Sequence, residues 1–229
     1  DWNGKFIQMG CGGHCGSLRG QYCGLALGRG YACIVSDMGH KSLGWDAKWA
    51  YNNLQAEIDW GYRATHVTTL AGKSITDLYY NQAPDYSYYM GCSTGGHQGM
   101  AEAQRFPWDF DGIIVGAPAT SRGELYLQFA WSVLAARDSS GKKILDERDL
   151  KLLHDGALAY CDENDGLRDG IIDNPLTCHF GPVELACQAG EKVDCLSSTQ
   201  IEAVNKIYTG PITSKGLPLY TGGPTRLGA

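Results

Sequence analysis

One serine of the sequence lies in a pattern that suits nucleophilic catalysis. Gly91-Cys92-Ser93-Thr94-Gly95 matches Gly-x-Ser-x-Gly, a pattern that forms a sharp turn between a strand and a helix and lifts the serine hydroxyl above a sheet. The pattern is common by chance, so its neighbours decide its weight. Residues 86–90 predict a strand, and residues 97–106 predict a helix that Pro107 ends. The alternative is a glycine-rich turn that only connects two elements, but this context favours Ser93 as a nucleophile.

A serine that attacks a carbonyl also needs backbone N–H groups to stabilise the oxyanion that develops. One donor is usually the N–H of the residue after the serine, here Thr94, and the other comes from a loop after an earlier strand. Residues 6–9 predict such a strand, and Gly10-Cys11-Gly12-Gly13-His14 follows it. We therefore expect Gly12 or Gly13, with Gly13 as first choice, to supply the second N–H. The alternative is an ordinary turn.

The serine also requires a histidine as general base and an acidic residue, and both follow the serine when it lies on this type of turn. The histidines that follow it are His97, His154 and His179. His97 is too close in sequence to reach back over the serine, and the other two fall in a predicted helix and beside Cys178. We expect the catalytic histidine and acid to lie beyond Ala229, and the isolated chain to be inactive.

A second candidate site is an acidic loop between residues 161 and 172. Asp162, Asp165 and Asp169 lie there with glycines between them, and Asp173 follows. Closely spaced carboxylates suit a hard cation such as calcium, which takes about 6–8 oxygen ligands. The spacing differs from that of an EF-hand, because no glycine stands at the sixth position counted from Asp162. We expect a calcium ion with backbone carbonyls among its ligands; the alternative is a solvated acidic turn.

The predicted elements change in character near residue 119. The predicted strands are residues 6–9, 31–35, 86–90 and 112–116. The predicted helices are residues 67–78, 97–106, 124–136, 147–160 and a short one to residue 208, capped by Ser197 or Ser198. Strand–helix–strand order predicts a parallel sheet. We therefore assign residues 1–119 to the N-terminal part of an α/β catalytic core. Residues 120–229, with a Gly/Pro/Thr-rich tail from residue 210, are assigned to an incomplete helical lid.

The composition excludes several classes of protein. With 43% hydrophobic residues among 229, the chain is globular. Its net charge of -6 and the absence of any Lys/Arg run argue against nucleic-acid binding, and no apolar stretch approaches the roughly 18 residues of a membrane span. Nine cysteines without a Cys-x-x-Cys pair favour disulfides over structural zinc. We expect a secreted or periplasmic protein in which one cysteine has no partner within the chain.

The chain resembles the tannase and feruloyl esterase family of α/β-hydrolases along nearly its whole length. The resemblance rests on residues 1–4, 36–40, 91–99, 110–119 and 161–172. Its most specific feature is the cysteine directly before the serine, here Cys92. In the family this cysteine pairs with one that directly follows the catalytic histidine, which would make Cys92 the cysteine without a partner. The resemblance implies an α/β-hydrolase parallel sheet with an inserted, disulfide-stapled helical lid, and a chain that is truncated within that lid.

The resemblance also implies disulfides and metal ligands in the lid. The implied disulfides are Cys161–Cys178 and Cys187–Cys195. The implied ligands of a structural calcium ion are Asp162, Asp165 and Asp169, with the carbonyl oxygens of Leu167 and Ile171. Four further cysteines depart from the commonest family pattern, and we expect them to form two disulfides whose pairing stays open. They are Cys11, Cys15, Cys23 and Cys33.

Together these features predict a serine carboxylic ester hydrolase that forms an acyl-enzyme on Ser93. By resemblance, the acid is aromatic, such as ferulate, another hydroxycinnamate or gallate, esterified to a small alcohol or a plant polymer. A hydrolase of aromatic diester fragments is a further candidate within the family. No organic cofactor is implied. The alternatives are a non-catalytic, calcium-stabilised binding module on the same scaffold and a peptidase on the same fold.

Overall fold

Four strands form the parallel sheet that the sequence predicts, in the order β2-β1-β3-β4. The strands are β1 (Lys5–Met9), β2 (Ala32–Ile34), β3 (Tyr86–Cys92) and β4 (Gly112–Gly116). Helices α1 (Gly24–Gly28), α2 (Leu54–Ile58), α3 (Ala64–Tyr80) and α4 (Thr94–Arg105) belong to the same unit, and a π-helical turn, Asp59–Arg63, joins α2 to α3. Because all four strands are parallel, the loops that follow them lie at one edge of the sheet, where α/β proteins bind ligands.

The computed structural model describes residues 1–190 and 193–220. It divides the chain into two compact units, Asp1–Thr120 and Ser121–Ala229. Residues 191–192, in the loop between Cys187 and Cys195, and residues 221–229, at the end of the predicted tail, lie outside the described residues. No helix of the described part is long and apolar enough to cross a membrane.

Alternating burial along β1 explains how two helices cover one face of the sheet. Phe6 and Gln8 are buried, and they pair in register with Ser87 and Tyr89 of β3, which are also buried. Cross-strand partners point to the same face, so these four side chains form one surface. Helix α3 covers its β1 side and α4 covers its β3 side.

Helix α3 lies very close to β1, and two features allow this. A Cβ atom at Gly72 would lie 2.8 Å from Cζ of Phe6, so only glycine fits there. The buried amide of Gln8 is satisfied by α3: its Nε2 donates to the Thr65 carbonyl (3.2 Å), and its Oε1 accepts from Thr69 Oγ1 (2.6 Å). A buried amide without such partners would destabilise the fold, so this pair of bonds fixes α3 on the sheet.

The second unit is helical, as predicted, and its strand pairing within the described residues is limited to isolated bridges. Its helices are α5 (Arg122–Ala135), α6 (Glu147–Cys161) and α7 (Ser198–Thr209). Of the two serines considered as the cap of α7, Ser197 takes that position, and its hydroxyl accepts the Gln200 N–H in a capping box. A core that includes Leu153, Phe180 and Leu196 stabilises this unit.

Four disulfides form in the structure. Cys161 pairs with Cys178, and Cys187 pairs with Cys195, the two pairs that the family resemblance implies. The pairing left open by the sequence is Cys11–Cys15 and Cys23–Cys33. Cys92 is the free cysteine among those described, and it is exposed.

Candidate active site

Ser93 occupies a strained turn between β3 and α4. Its backbone angles are φ 60° and ψ −116°, a region that non-glycine residues rarely adopt. The turn is fixed on both sides, because the Ser93 N–H donates to the Gly116 carbonyl and the His97 N–H donates to the Ser93 carbonyl, both at 3.0 Å. The residue is exposed. This strand–turn–helix geometry presents the Ser93 hydroxyl at the carboxyl edge of the sheet, as a nucleophile requires.

The glycines around Ser93 are required by close backbone contacts. A Cβ atom at Gly91 would lie 2.4 Å from the Gly95 carbonyl oxygen, and one at Gly96 would lie 2.4 Å from the Gly116 carbonyl oxygen. Neither contact can be relieved by moving a side chain, since the atoms met belong to the backbone. The glycines of the pattern therefore allow the sharp turn, and a plain connecting turn would not need them all.

Residues 10–16, here called the oxyanion loop, contact the turn directly. Thr94 Oγ1 donates to the Gly13 carbonyl oxygen at 2.5 Å. The loop N–H groups on either side are engaged, that of Cys11 with Gln98 Oε1 (3.3 Å) and that of His14 with the Gly44 carbonyl (2.6 Å). Between them, the N–H groups of Gly12 and Gly13 make no hydrogen bond within the part of the chain that the structure describes. The two predicted sources of oxyanion donors, Thr94 and Gly13, are thus brought together.

Gly13 has a backbone that only glycine adopts easily. Its φ is +61°, and a Cβ atom there would lie 2.5 Å from the Gly44 carbonyl oxygen. A second loop over residues 37–44 flanks it, because the Gly16 N–H donates to the Asp37 carbonyl and the Ser42 N–H donates to the Gly16 carbonyl. The oxyanion loop is therefore supported from two sides.

A cavity of about 400 Å³ opens beside the turn, between the ends of β1 and β3. It is lined by Met9, Gly10, Cys11, Gly12, Tyr22, Met90, Gly91, Cys92, Ile114 and Gly116. Most of these residues are small or apolar, so the cavity suits an apolar or aromatic group next to the serine.

The histidines of the first unit have other partners. His97 Nε2 lies 3.3 Å from the Gly61 carbonyl oxygen, and His40 Nε2 lies 2.8 Å from the His14 carbonyl oxygen. His66 Nδ1 lies 2.6 Å from Asp109 Oδ2. Within the described residues of this unit, no histidine is hydrogen-bonded to Ser93. This arrangement agrees with the prediction that the general base lies elsewhere in the protein.

The predicted calcium loop uses its carboxylates to order its own backbone. Asp162 Oδ1 accepts the N–H groups of Asp169 (3.3 Å) and Gly170 (3.0 Å). Asp165 Oδ1 accepts the Leu167 N–H, and Asp169 Oδ1 accepts the Ile171 N–H. The oxygen chemistry suits calcium, but the three carboxylates are not gathered around one point in the described structure, so an ion would have to draw them together.

The structure instead gathers a different set of side chains. His66, Glu102 and Asp109 are the one group among the described residues whose ligand atoms lie within 4.8 Å of one another. Asp109 and Glu102 are buried, and Lys73 Nζ donates to the Asp109 main-chain carbonyl. Burial, followed by the charge of Asp109, raises the pKa of Glu102 to about 8. The sequence gave no signal for this cluster, because its members lie on α3, on α4 and in the loop after it.

Comparison with known proteins places this geometry in a family. The family model described as tannase and feruloyl esterase matches residues 1–228. The chain belongs to the tannase and feruloyl esterase family. Two curated relatives are 35% identical to it: a mono(2-hydroxyethyl) terephthalate hydrolase of Piscinibacter sakaiensis, over 96% of this chain and 42% of the relative, and a probable feruloyl esterase B-2 of Aspergillus flavus, over 91% and 40%.

A solved structure of the tannase and feruloyl esterase family supports the fold. The crystal structure of feruloyl esterase B from Aspergillus oryzae matches with a TM-score of 0.87 and 33% sequence identity, over 96% of this chain and 44% of that chain. The parallel sheet with its helices is thus confirmed as the fold of this family. The chain spans about two fifths of the length of the curated relatives it matches.

Proposed function

We propose that the protein is a serine carboxylic ester hydrolase and that Ser93 is its nucleophile. The observation that carries the proposal is the strained backbone of Ser93 next to the 2.5 Å contact between Thr94 Oγ1 and the Gly13 carbonyl. That contact brings the N–H donors of two segments to the same edge of the sheet. Esters and not free acids are the substrates, because attack by a serine requires an electrophilic carbonyl with a leaving group.

In the proposed reaction the Ser93 hydroxyl attacks the ester carbonyl carbon and loses its proton to a histidine outside the described residues. The resulting oxyanion accepts the N–H groups of Thr94 and Gly13. The alcohol leaves with that proton, and an acyl group remains on Ser93. Water then attacks the acyl-enzyme, releases the acid and restores the serine hydroxyl.

We further propose that the acid is aromatic and that the protein acts outside the cytoplasm. Relatives named as a feruloyl esterase and a terephthalate hydrolase support an aromatic acid, as does the apolar lining of the cavity beside the serine. Four disulfides support an oxidising compartment. Calcium at residues 162–171 is proposed as structural, with no part in acyl transfer.

An ester panel tests this proposal on the full-length protein. Purified protein is assayed with p-nitrophenyl acetate, methyl ferulate, methyl gallate and a peptide. Faster turnover of the aromatic esters than of the acetate, with no peptide cleavage, is expected. Peptide cleavage would favour a peptidase. Absence of turnover of any ester, together with retained binding of ferulate, would favour a non-catalytic binding module.

A further inference from the structure

One side chain of the helix that follows the nucleophile contacts the oxyanion loop at several atoms. Gln98 lies in the second turn of α4 and is 2% exposed. Its Oε1 accepts the Cys11 N–H (3.3 Å), and its Nε2 donates to Cys11 Sγ (3.0 Å) and lies 3.7 Å from Cys15 Sγ. A single buried amide therefore contacts both the backbone and the disulfide of the loop.

The orientation of the Gln98 amide is determined by its partners. Two donors point at its oxygen, the Cys11 N–H and the Tyr89 hydroxyl, which lies 2.9 Å from Oε1. An amide nitrogen cannot accept from either donor, so Oε1 must face them and Nε2 must face the sulfurs. Tyr89 is 0% exposed in the centre of β3, so the sheet itself fixes the direction of the Gln98 side chain.

The segment that Gln98 contacts would otherwise be flexible. Gly12, Gly13 and His14 separate the two cysteines, and glycine populates more backbone conformations than any other residue. The Cys11–Cys15 disulfide joins the ends of this segment across a sequence separation of four, and both cysteines are buried. A cross-link over so few residues excludes most conformations of the segment between them.

Oxyanion stabilisation depends on the relative position of two donors. Both N–H groups must lie about 2.7–3.1 Å from the oxyanion, and removal of one donor lowers kcat by about 100- to 1000-fold. Thr94 is fixed by α4, whereas Gly13 is fixed only through its loop. Contacts that couple the loop to α4 therefore set the distance between the two donors.

We propose that Gln98 and the Cys11–Cys15 disulfide are positioning residues for ester hydrolysis, which together fix the Gly13 N–H relative to the Thr94 N–H. This inference rests on the proposed function. It assigns a role in transition-state stabilisation to a disulfide whose pairing the sequence left open. It also predicts that these residues contribute to kcat and very little to substrate affinity, since they do not line the path of the acyl chain to Ser93.

The first test removes the disulfide in the full-length protein. Cys11→Ala with Cys15→Ala should lower kcat for methyl ferulate by about 10- to 100-fold, a part of the loss expected for a missing donor, and change KM by less than about 3-fold. The matched control is Cys23→Ala with Cys33→Ala, which removes the other disulfide of the same unit and should leave kcat near the wild-type value. Both are assayed well below their melting temperatures.

The second test keeps the disulfide and removes the amide. Gln98→Met preserves length and apolar packing but loses every hydrogen bond, and it should lower kcat by about 10-fold. Gln104→Met is its control, because Gln104 is exposed on the same helix. A trifluoromethyl ketone, whose hemiketal oxyanion occupies the oxyanion hole, should bind more weakly to the Gln98 variant by the same factor, while inhibition by free ferulate should be unchanged.

The outcomes separate this inference from the proposed function. If the wild-type protein hydrolyses no ester, the proposed function itself fails. If wild type is active and Ser93→Ala is inactive, but both test variants keep the wild-type kcat, the inference is overturned and the nucleophile stands. Equal losses in the Cys23/Cys33 control, or a change in KM alone, would also overturn it. If the Cys11/Cys15 variant does not fold, Gln98→Met decides the question.

Discussion

Replacing Glu102 by glutamine should remove a pH-dependent loss of stability from the N-terminal unit. Glu102 is 0% exposed, and neither of its carboxylate oxygens has a hydrogen-bond partner among the described residues. Burial, followed by the charge of Asp109, raises its pKa from 4.5 to about 8. His66 and Lys73 both donate to Asp109 and not to Glu102, so no cation offsets the cost of ionising it. At neutral pH the buried carboxyl is therefore protonated.

The sign of the effect follows from the two pKa values. Below about pH 4.5 the folded and unfolded chains both hold the proton, and the group has no pH-dependent effect. As the pH rises from there to about 8, the unfolded chain ionises first, so the free energy of unfolding falls. With about 1.4 kcal/mol for each pKa unit, the full loss is on the order of 4 kcal/mol. Glutamine cannot ionise, so Glu102→Gln removes this loss.

The assay is denaturant unfolding of the full-length protein at pH 5 and at pH 8.5. We expect Glu102→Gln to have a small effect at pH 5 and to raise the free energy of unfolding by a few kcal/mol at pH 8.5. Glu57→Gln, at an exposed position of α2, is the control and should be neutral at both values. The reasoning is refuted if Glu102→Gln changes stability equally at both pH values, or destabilises more as the pH rises.

Three further predictions concern the turn, the acidic loop and the isolated chain. Gly96→Ala should destabilise by about 1–3 kcal/mol, because its Cβ meets the Gly116 carbonyl oxygen at 2.4 Å, whereas Gly123→Ala meets nothing within 4 Å and should not; thermal melts compare them. EGTA should lower the melting temperature, and added calcium should restore it by mass action; an unchanged melt with no calcium in elemental analysis would refute the site at residues 162–171. Purified residues 1–229 should hydrolyse no ester in a p-nitrophenyl acetate assay, and serine-dependent turnover would contradict a base outside them.

Local sequence patterns predicted most of the fold. Apolar β-branched runs located all four strands, and helical periodicity located α3 and α5 to α7 within a few residues. The prediction for α4 began at residue 97, but the helix begins at Thr94. The reason is physical: in this turn the helix starts directly after the strained serine, so its first residues look like loop by composition. The short helices α1 and α2 were missed because each is a single turn without clear periodicity.

The contacts that build the site were less predictable, because they join residues far apart in the sequence. Glycine spacing identified Ser93 and Gly13, since those positions need glycine or its neighbours for local steric reasons. Gln98 and Glu102 carry no such signal: each becomes important only when α4 lies against the sheet. For the acidic loop, spacing indicated the donor chemistry at Asp162 but not the backbone N–H groups that its carboxylate accepts.

Covalent labelling of the serine tests the central claim most directly. The full-length protein is treated with a fluorophosphonate, which reacts with activated serine nucleophiles, and the modified peptide is identified by mass spectrometry. The account predicts one phosphonylated residue, Ser93, loss of ester hydrolysis in proportion to labelling, and no labelling of Ser93→Ala. Stoichiometric labelling at another serine, or Ser93→Ala with a near-normal kcat, would contradict it.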